Sequence, residues 1–268
     1  MDVEPIAVAD LDDPRLAPYR TLRARSERGE EIAVADGIRV VESLLSFGVP
    51  LASLLADERE LPAVRALLAG RAVPFPVFVA PSAAISAVIG YRYHGGVMAA
   101  VAALPAPATI EGLGARVVAL GALDKGENVG AIARSALAFG FTGLLLDAAG
   151  AGPYQRSAIR ASRGAVFGLA VRRSADLAAD LRALGARGHL RIAAESRGGT
   201  GIEGIEGLAQ LGDRPLAVVL GSEGHGLAPA VRAEIDLPVT IPLAGAVESL
   251  NVAAAAAILL HALAGGAR

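Results

Sequence analysis

Short apolar runs alternate with stretches of helical periodicity along the whole chain. The apolar runs predict strands at 31–35, 51–56, 76–80, 95–104, 116–124, 143–147, 190–195, 215–221 and 237–243. The periodic stretches predict helices at 36–48, 58–69, 155–167 (with or without a turn), 175–186, 228–235 and 249–264, and one that ends near Phe139 and Gly140. This alternation favours an α/β protein with a mostly parallel sheet and helices on its faces. Ligands of such sheets bind at the carboxyl ends of the strands.

A proline-rich stretch separates two parts of this pattern. Pro105 and Pro107 stand among small residues in PAPAT, which suits a short, stiff linker. We therefore expect a first domain at 1–104, a linker at 105–111 and a second domain at 112–268.

Composition narrows the class of protein. The best membrane candidate, 250–264, contains Asn251 and His261 and is shorter than the roughly 20 apolar residues that a span needs. The acidic start MDVEPIAVADLDD does not have the form of a signal peptide, and the absence of cysteine excludes disulfides and thiolate metal sites. These features predict a cytoplasmic protein without a membrane or metal partner. The formal net charge of −2 argues against non-specific coating of nucleic acid but allows a local basic patch.

Several classes of site lack their motifs. The segment 122–141 has Gly126 and Gly130 but lacks both G-x-G-x-x-G and the G-x-x-x-x-G-K-[ST] phosphate loop, so a dinucleotide or triphosphate site is unsupported there. Gly221, Ser222 and Gly224 do not form the G-x-S-x-G elbow of hydrolases. The four histidines lack the spacing of metal ligands.

Three segments combine glycines with polar residues where a parallel strand would pass into a helix. They are ALDKGENVGAIARSALAFGF (122–141), VVLGSEGHGL (218–227) and IPLAGAVESLNVAAAAA (241–257). In this order they resemble the SpoU/TrmH family of SPOUT-class RNA 2′-O-ribose methyltransferases. The first family motif corresponds to Asn128, Gly130 and Arg134, the second to LGSEGHGL, and the third to Ile-Pro followed by SLNV. The resemblance runs from near residue 115 to the end of the chain.

The resemblance implies a fold that periodicity does not predict. In the family pattern the second domain is an α/β trefoil knot with a mostly parallel sheet, which is a rare exception to unthreaded chains. The family pattern also implies S-adenosylmethionine bound within the knot, and a homodimer formed through the knot domain. The first domain, judged from IAVADGIRVVESLLSFGVPLASLLA, resembles the smaller ribosomal-protein-like α/β domain that binds substrate RNA.

The resemblance also assigns a cofactor pocket. Its expected residues are Ala194, Glu195, Leu220, Gly221, Ile241, Leu243, Ser249 and Leu250. Gly221 would let the backbone approach the cofactor closely, and Leu250 and Ile241 would offer apolar surface to the adenine. Ser249 and Asn251 stand at the start of a helix, where serine and asparagine are commonly caps, so that interpretation stays open beside the functional one.

The expected catalytic residues are Arg134, Asn128, Glu223, Ser249 and Asn251. Arg134 is the residue that the family pattern places at the hydroxyl. A guanidinium stays protonated at neutral pH, so we favour stabilisation of the developing alkoxide over a role as general base. Asn128 would orient Arg134 or the substrate, and Glu223 would fix its loop, by pairing with Arg134 or by binding backbone amides. The alternative for Arg134 is a solvated helix residue.

The expected RNA contacts are Arg156, Arg160, Arg163, Lys125, Arg23 and Arg25. On a helix, 156, 160 and 163 would share one face that could bind phosphates, although such a face is often only solvated. Many family members carry Asp-Pro where this chain has Asp124-Lys125, and Lys125 could add a phosphate contact. Tyr91 and Tyr93 could stack on bases or pack internally.

Three functions follow from these features. The first is methylation of a ribose 2′-hydroxyl in structured RNA, with ribosomal RNA slightly favoured over transfer RNA. The second is a knotted RNA-binding dimer that has lost catalysis, against which the retention of all five expected catalytic residues argues. The third is a nucleotide-dependent oxidoreductase, against which the missing glycine fingerprint in the segment 122–141 argues.

Overall fold

The computed structural model of the protein describes residues 4–27, 33–94, 96–195, 198–202, 211, 214–222, 224, 226–245 and 249–264. Its strands are β1 (Ile6–Ala7), β2 (Val34–Asp36), β3 (Leu51–Asp57), β4 (Val77–Ala80), β5 (Val97–Val101), β6 (Arg116–Leu120), β7 (Gly143–Asp147), β8 (Ala170–Ser174), β9 (Leu190–Ala194), β10 (Thr200–Gly201), β11 (Leu216–Leu220) and β12 (Leu237–Thr240). Its helices are α1 (Leu22–Glu27), α2 (Ile38–Ser46), α3 (Leu61–Leu68), α4 (Ser82–Ile89), α5 (Gly126–Ala138), α6 (Arg156–Ser162), α7 (Leu177–Ala186), α8 (Pro229–Arg232) and α9 (Val252–Leu263).

Internal contacts divide the chain into two compact units. Unit 1 comprises Met1–Pro105 and Tyr154–Phe167, and unit 2 comprises Ala106–Pro153 and Gly168–Arg268. The change at Pro105 falls within the linker expected from the sequence. Residues 154–167, which we expected in the second domain, pack with unit 1 instead.

Unit 1 contains a five-stranded sheet in the order β1-β4-β3-β5-β2. The first three strands in this order are parallel, whereas β5 runs antiparallel to both β3 and β2. The expectation of a mostly parallel sheet therefore needs correction for this unit. A strand buried on both faces is a continuous apolar run in either direction, so the hydrophobic pattern of β5 carried no information about its direction.

Unit 2 contains a seven-stranded sheet in the order β10-β12-β9-β11-β6-β7-β8, and each neighbouring pair is parallel. Every residue of β11 is buried, as in a strand with helices on both faces. The last helix, α9, packs against α5 and also contacts β9 and β11. Because all these strands are parallel, their carboxyl ends lie along one edge, which we call the carboxyl edge of unit 2.

The sequence pattern located most elements but missed others. The bounds of β7 are the predicted ones, and α5, α7 and α9 differ from prediction by a few residues. Strand β8 was not predicted because its VRR segment carries two arginines, which an edge strand tolerates. The predicted helix 36–48 begins at Ile38 instead, since Asp36 ends β2 and Gly37 takes the cap position of α2 without a side-chain hydrogen bond.

Within the described parts of the chain, no helix has the length and apolar character that crossing a membrane requires.

Candidate active site

The expected cofactor residues follow strands that are neighbours in the sheet of unit 2. Four adjacent strands, in the order β12-β9-β11-β6, end at the carboxyl edge. Ala194 is the last residue of β9 and pairs with Val239 of β12, while Leu220 is the last residue of β11 and pairs with Leu120 of β6. Glu195, Gly221, Ile241 and Leu243 come directly after these strand ends. The structure thus brings these residues to one edge, although they are spread over fifty positions of the chain.

The chain turns back sharply after β11. Ser222 and Gly226 form an antiparallel bridge, in which the Gly226 amide donates to the Ser222 carbonyl at 2.9 Å. A Cβ on Gly221 would lie only 2.4 Å from the carbonyl carbon and 2.5 Å from the carbonyl oxygen of Gly226. Gly221 is therefore required by the close approach of the chain to itself, a cause that sequence reasoning missed. Glu223 lies outside the described residues.

The Asn251 side chain is both a helix cap and a link between two motifs. Its Oδ1 accepts from the Ala253 amide at 3.0 Å, which caps α9. Its Nδ2 donates to Oδ1 of Asn128, in the first turn of α5, at 3.2 Å. The capping bond fixes which end of the amide carries oxygen, so the NH₂ end faces Asn128. The first and third family-like segments thus meet directly.

The other residues before α9 have different environments. Ser249 is exposed and lies two positions before the cap residue Asn251, so the interpretation of Ser249 as the cap of α9 is wrong. Leu250 is half-buried.

Arg134 lies on the same helix as Asn128 but faces a different direction. Six residues on an α-helix correspond to about 9 Å along the axis and about 120° around it. Arg134 is exposed, and among the described residues no side chain forms an ion pair or hydrogen bond with its guanidinium. The amide oxygen of Asn128 is bound by Asn251, so among the described residues the partner of Asn128 is Asn251 rather than Arg134.

Glu195 is held by a residue that sequence reasoning did not identify. Nη2 of Arg232, the last residue of α8, lies 3.0 Å from Oε2 of Glu195. The Glu195 side chain is only 13% exposed, whereas that of Arg232 is 57% exposed. The Glu195 amide donates to the Val239 carbonyl at 2.8 Å, which ties this residue to β12. No sequence pattern pointed to Arg232, because 37 residues separate it from its partner Glu195.

The turn after β6 has a strained residue. Ala122 has φ of 47°, in the left-handed region that a side chain rarely adopts. The next residue, Leu123, is buried and accepts a hydrogen bond from the Ala151 amide at 2.6 Å. These contacts hold the segment that leads into α5, with Lys125 exposed at the cap position. Strain of this kind is common near functional sites.

In unit 1, Arg156 is engaged inside the fold. Its Nη2 donates to the Tyr91 hydroxyl at 2.7 Å and lies 3.3 Å from Oδ2 of Asp36, while its guanidinium stands 5.4 Å from the centre of the Tyr91 ring. Its side chain is 17% exposed. Burial raises the pKa of Asp36, and the charge of Arg156 opposes that rise. The expectation that Arg156 contacts RNA is therefore not supported by its geometry, since its side chain is largely buried and its Nη2 is bound within unit 1.

The three arginines of this segment do not form one helical face. Helix α6 ends at Ser162, and Arg163 follows it in the left-handed conformation, with φ of 51°. The next residue, Gly164, packs closely on α2, where a Cβ would stand 3.0 Å from Leu44. Arg160 and Arg163 are exposed.

The remaining expected RNA contacts lie in varied surroundings. Arg23 is exposed and pairs with Glu27 at 2.9 Å, and Nη1 of Arg25 lies 3.3 Å from the Pro18 carbonyl. Tyr93 is buried in the core of unit 1, which is the internal packing that we left open as the alternative to stacking on bases. Tyr91 is half-buried against Arg156.

Comparisons with known proteins agree on one family. The family model described as the SpoU rRNA Methylase family matches residues 115–261. A tRNA/rRNA methyltransferase of Mycobacterium tuberculosis, itself uncharacterised, is 31% identical over 261 residues, which is 95% of this chain and 90% of the relative.

Solved structures of similar proteins have the same fold. The AdoMet-bound rRNA methyltransferase of Sinorhizobium meliloti superposes with a TM-score of 0.74 at 25% identity, over 96% of both chains. The SpoU methyltransferase AviRb of Streptomyces viridochromogenes, in complex with AdoMet, superposes with a TM-score of 0.74 at 24% identity, over 94% of this chain and 98% of that one.

Proposed function

Because this chain belongs to the SpoU rRNA methylase family, we propose that it transfers the methyl group of S-adenosylmethionine to a ribose 2′-hydroxyl of structured RNA, with ribosomal RNA preferred over transfer RNA. Membership of the family makes it an RNA methyltransferase that uses S-adenosylmethionine. The choice of the 2′-hydroxyl rests on the three motifs of the sequence. The observation that carries the proposal is the hydrogen bond between Asn251 and Asn128, which joins the first and third motifs at the carboxyl edge.

The residues at the carboxyl edge fit this cofactor. Leu243 is an exposed large apolar residue and Leu250 is half-buried, so both can cover the adenine. Oε2 of Glu195 is bound to Arg232, which leaves Oε1 to accept a hydrogen bond from a ribose hydroxyl of the cofactor. Ala194, Leu220, Gly221, Ile241 and Ser249 would line the same pocket through their backbone groups.

Methyl transfer requires the side chains mainly to align the reacting groups and to stabilise charge. The cofactor, when bound, supplies a methyl group that is already activated by the positive sulfonium. The chain has to align the ribose oxygen with that methyl and to manage the hydroxyl proton. Arg134 would stabilise the developing alkoxide with its fixed charge and N–H donors, while the proton passes to a phosphate or to water. Asn128 and Asn251 would hold the first turns of α5 and α9 in the correct relation, and Glu223 and Ser249 would complete the site.

Substrate RNA would be bound largely by unit 1. Arg160 and Arg163 are exposed, so both can contact phosphates. Arg23, Arg25 and Lys125 remain proposed contacts, and Arg156 would support the segment from within.

We further propose that the chain forms a trefoil knot and a homodimer through unit 2, and that it acts in the cytoplasm. The surface of α9 supports the dimer. One side of this helix packs into unit 2 through Val252, Ala256 and Leu259, whereas Ala254 and Ile258 are exposed on the other side. Exposed apolar residues on an apolar helix are typical of a subunit interface.

The decisive experiment combines transfer and mapping. Purified protein is incubated with methyl-tritiated S-adenosylmethionine and, separately, with unmodified ribosomal and transfer RNA. A 2′-O-methyl group blocks alkaline cleavage at its own phosphodiester, so we expect label in alkali-resistant dinucleotides from ribosomal RNA. Label in mononucleotides would mean base methylation, and label in transfer RNA alone would reverse the preference. RNA binding without transfer would favour the inactive dimer.

A catalytic variant completes this test. We expect Arg134→Ala to lower transfer at least about 100-fold, in line with the loss of one electrostatic stabiliser, while affinity for the cofactor changes little. Arg182→Ala is the matched control, because Arg182 is also an exposed arginine of a unit 2 helix but pairs with Glu234. Near-normal turnover of Arg134→Ala would remove this residue from the mechanism.

A further inference from the structure

We infer that Arg232 is a positioning residue for the S-adenosylmethionine site, which it maintains by fixing Glu195 beside the turn closed by Ser222 and Gly226. The inference rests on the proposed cofactor pocket. It assigns a role to a residue outside the three family-like segments, on the short helix α8.

One guanidinium reaches two strand ends. Nη2 of Arg232 lies 3.0 Å from Oε2 of Glu195, directly after β9. The same nitrogen lies 3.8 Å from the position that a Cβ on Gly226 would take, in the turn after β11. Arg232 therefore lies near both backbone segments, after β9 and after β11, whose residues we assign to the lining of the pocket.

The helix that carries Arg232 is itself anchored. Val231, the preceding residue, is buried in the core cluster of unit 2 together with Leu227. The side chain of Arg232 thus extends from a fixed backbone, so its hydrogen bond fixes the position of the Glu195 carboxylate.

Loss of Arg232 would disturb the pocket through Glu195. The Glu195 carboxylate is 13% exposed, and a largely buried charge without a partner is costly. The carboxylate would gain hydration by moving outward. Because the Glu195 amide is bonded to the Val239 carbonyl, this movement would also displace the end of β12, from which Ile241 and Leu243 follow.

The chain offers a closely matched control for a merely structural role. Arg182 and Glu234 form an ion pair at 2.6 Å whose side chains are 67% and 14% exposed, close to the values for Arg232 and Glu195. That pair joins α7 to the segment after α8, and Glu234 also has Arg191 as a partner at 3.1 Å. It contacts neither Glu195 nor Gly226.

The test measures cofactor binding apart from catalysis. Calorimetric titration of S-adenosylmethionine into the full-length protein gives Kd for the wild type, Arg232→Ala, Arg232→Lys and Arg182→Ala, and steady-state assays with RNA give KM for the cofactor and kcat. We expect Arg232→Ala to raise Kd and this KM about tenfold, equivalent to about 1.4 kcal/mol, with kcat changed less than about twofold. Arg232→Lys should retain part of the affinity, because it keeps a charged donor.

A compensating change gives a second readout. In the Arg232→Ala background, Glu195→Gln removes the unpaired charge, so we expect it to recover part of the lost affinity. The inference is overturned if Arg232→Ala binds the cofactor like the wild type, or if Arg182→Ala weakens binding equally. Failure of the proposed function would be distinct, since the wild-type protein would then place no label in alkali-resistant dinucleotides of ribosomal RNA, whatever the effect of Arg232→Ala on cofactor affinity.

Discussion

Nδ2 of Asn251 donates a hydrogen bond to Oδ1 of Asn128 at 3.2 Å, across 123 positions of the chain. The same Asn251 side chain caps α9 through its oxygen. Helix capping and assembly of the site are therefore not alternatives here, because the two ends of one amide perform them separately. This division makes it possible to remove one role and keep the other.

Asn251→Ser tests the link to Asn128 without losing the cap. Serine caps helices about as well as asparagine, but its short hydroxyl lacks the amide that reaches Asn128. We expect the melting temperature to stay near that of the wild type, while kcat falls about tenfold. Asn251→Ala should lower both, with a loss of about 1 kcal/mol of stability.

The control for this experiment is the partner residue. Asn128→Ala should reduce kcat by a similar factor, and the double variant Asn128→Ala with Asn251→Ser should be no worse than either alone. Additive losses would show that the two side chains act independently. A loss of stability in Asn251→Ala with normal kcat would leave capping as the whole role.

Gly221→Ala should abolish measurable binding of S-adenosylmethionine. Its Cβ would lie 2.4 Å from backbone of Gly226, so the turn cannot close in its present form. Gly224→Ala, in the same turn, is the control, because a Cβ there would meet nothing within 4 Å. Calorimetric titration should show wild-type affinity for Gly224→Ala. Equal affinity for the two variants would contradict the requirement for glycine at 221.

Arg163→Gly separates RNA binding from stability. Arg163 has φ of 51°, which glycine adopts without strain, so we expect the free energy of unfolding to stay level or to rise by up to about 1 kcal/mol. Loss of one phosphate contact should weaken RNA binding severalfold and reduce the salt-dependence slope by about 1. Arg65→Ala, an exposed arginine on α3, is the control and should change neither. Unchanged RNA affinity in Arg163→Gly would exclude this contact.

Arg156→Ala should destabilise the protein rather than act on RNA directly. The change leaves the half-buried Asp36 carboxylate without its ion-pair partner, at a cost of about 2 kcal/mol near neutral pH. Burial already raises the pKa of Asp36, and loss of Arg156 should raise it further. The deficit in unfolding free energy should therefore shrink as the pH falls and the carboxyl takes up a proton.

Chemical denaturation at pH 7, 6 and 5 measures this deficit. Asp36→Asn in the Arg156→Ala background is the control, because it removes the unpaired charge and should restore part of the stability. If Arg156→Ala has the stability of the wild type but binds RNA more weakly, Arg156 contacts RNA directly.

The free energy of unfolding should also fall in acid, because the Asp57 carboxylate becomes protonated. The Arg59 guanidinium, the Ser82 hydroxyl and the Arg59 backbone amide donate to this buried carboxylate and hold its pKa well below the usual range. A carboxyl with a lowered folded-state pKa contributes stability above its unfolded value of about 3.9, and that contribution is lost as the pH falls below it. Urea unfolding between pH 5 and pH 2.5 should show this loss. Asp57→Asn should be less stable at pH 7 and show a flatter profile in acid; an unchanged acid profile would assign the loss to other groups.

The sequence by itself determined the class of fold and the places where function could reside. The apolar runs at 143–147 and 215–221 are what parallel strands with two covered faces require, so periodicity located β7 and β11 closely. Glycines and polar residues after such runs then indicated the strand ends that carry Asn128, Gly221 and Ser249. These signals are local, because the hydrophobic pattern of a segment depends on its own burial.

Only the tertiary structure decided which strand ends are neighbours. The order β12-β9-β11-β6 brings six of the expected cofactor residues, Ala194, Glu195, Leu220, Gly221, Ile241 and Leu243, to one edge of the sheet, and no local pattern encodes this order. The bonds between Asn128 and Asn251 and between Glu195 and Arg232 likewise join residues far apart in the chain. Arg163 left the expected helical face because a single residue adopted the left-handed conformation. Each of these features depends on contacts between distant segments, whose partners a linear sequence does not identify.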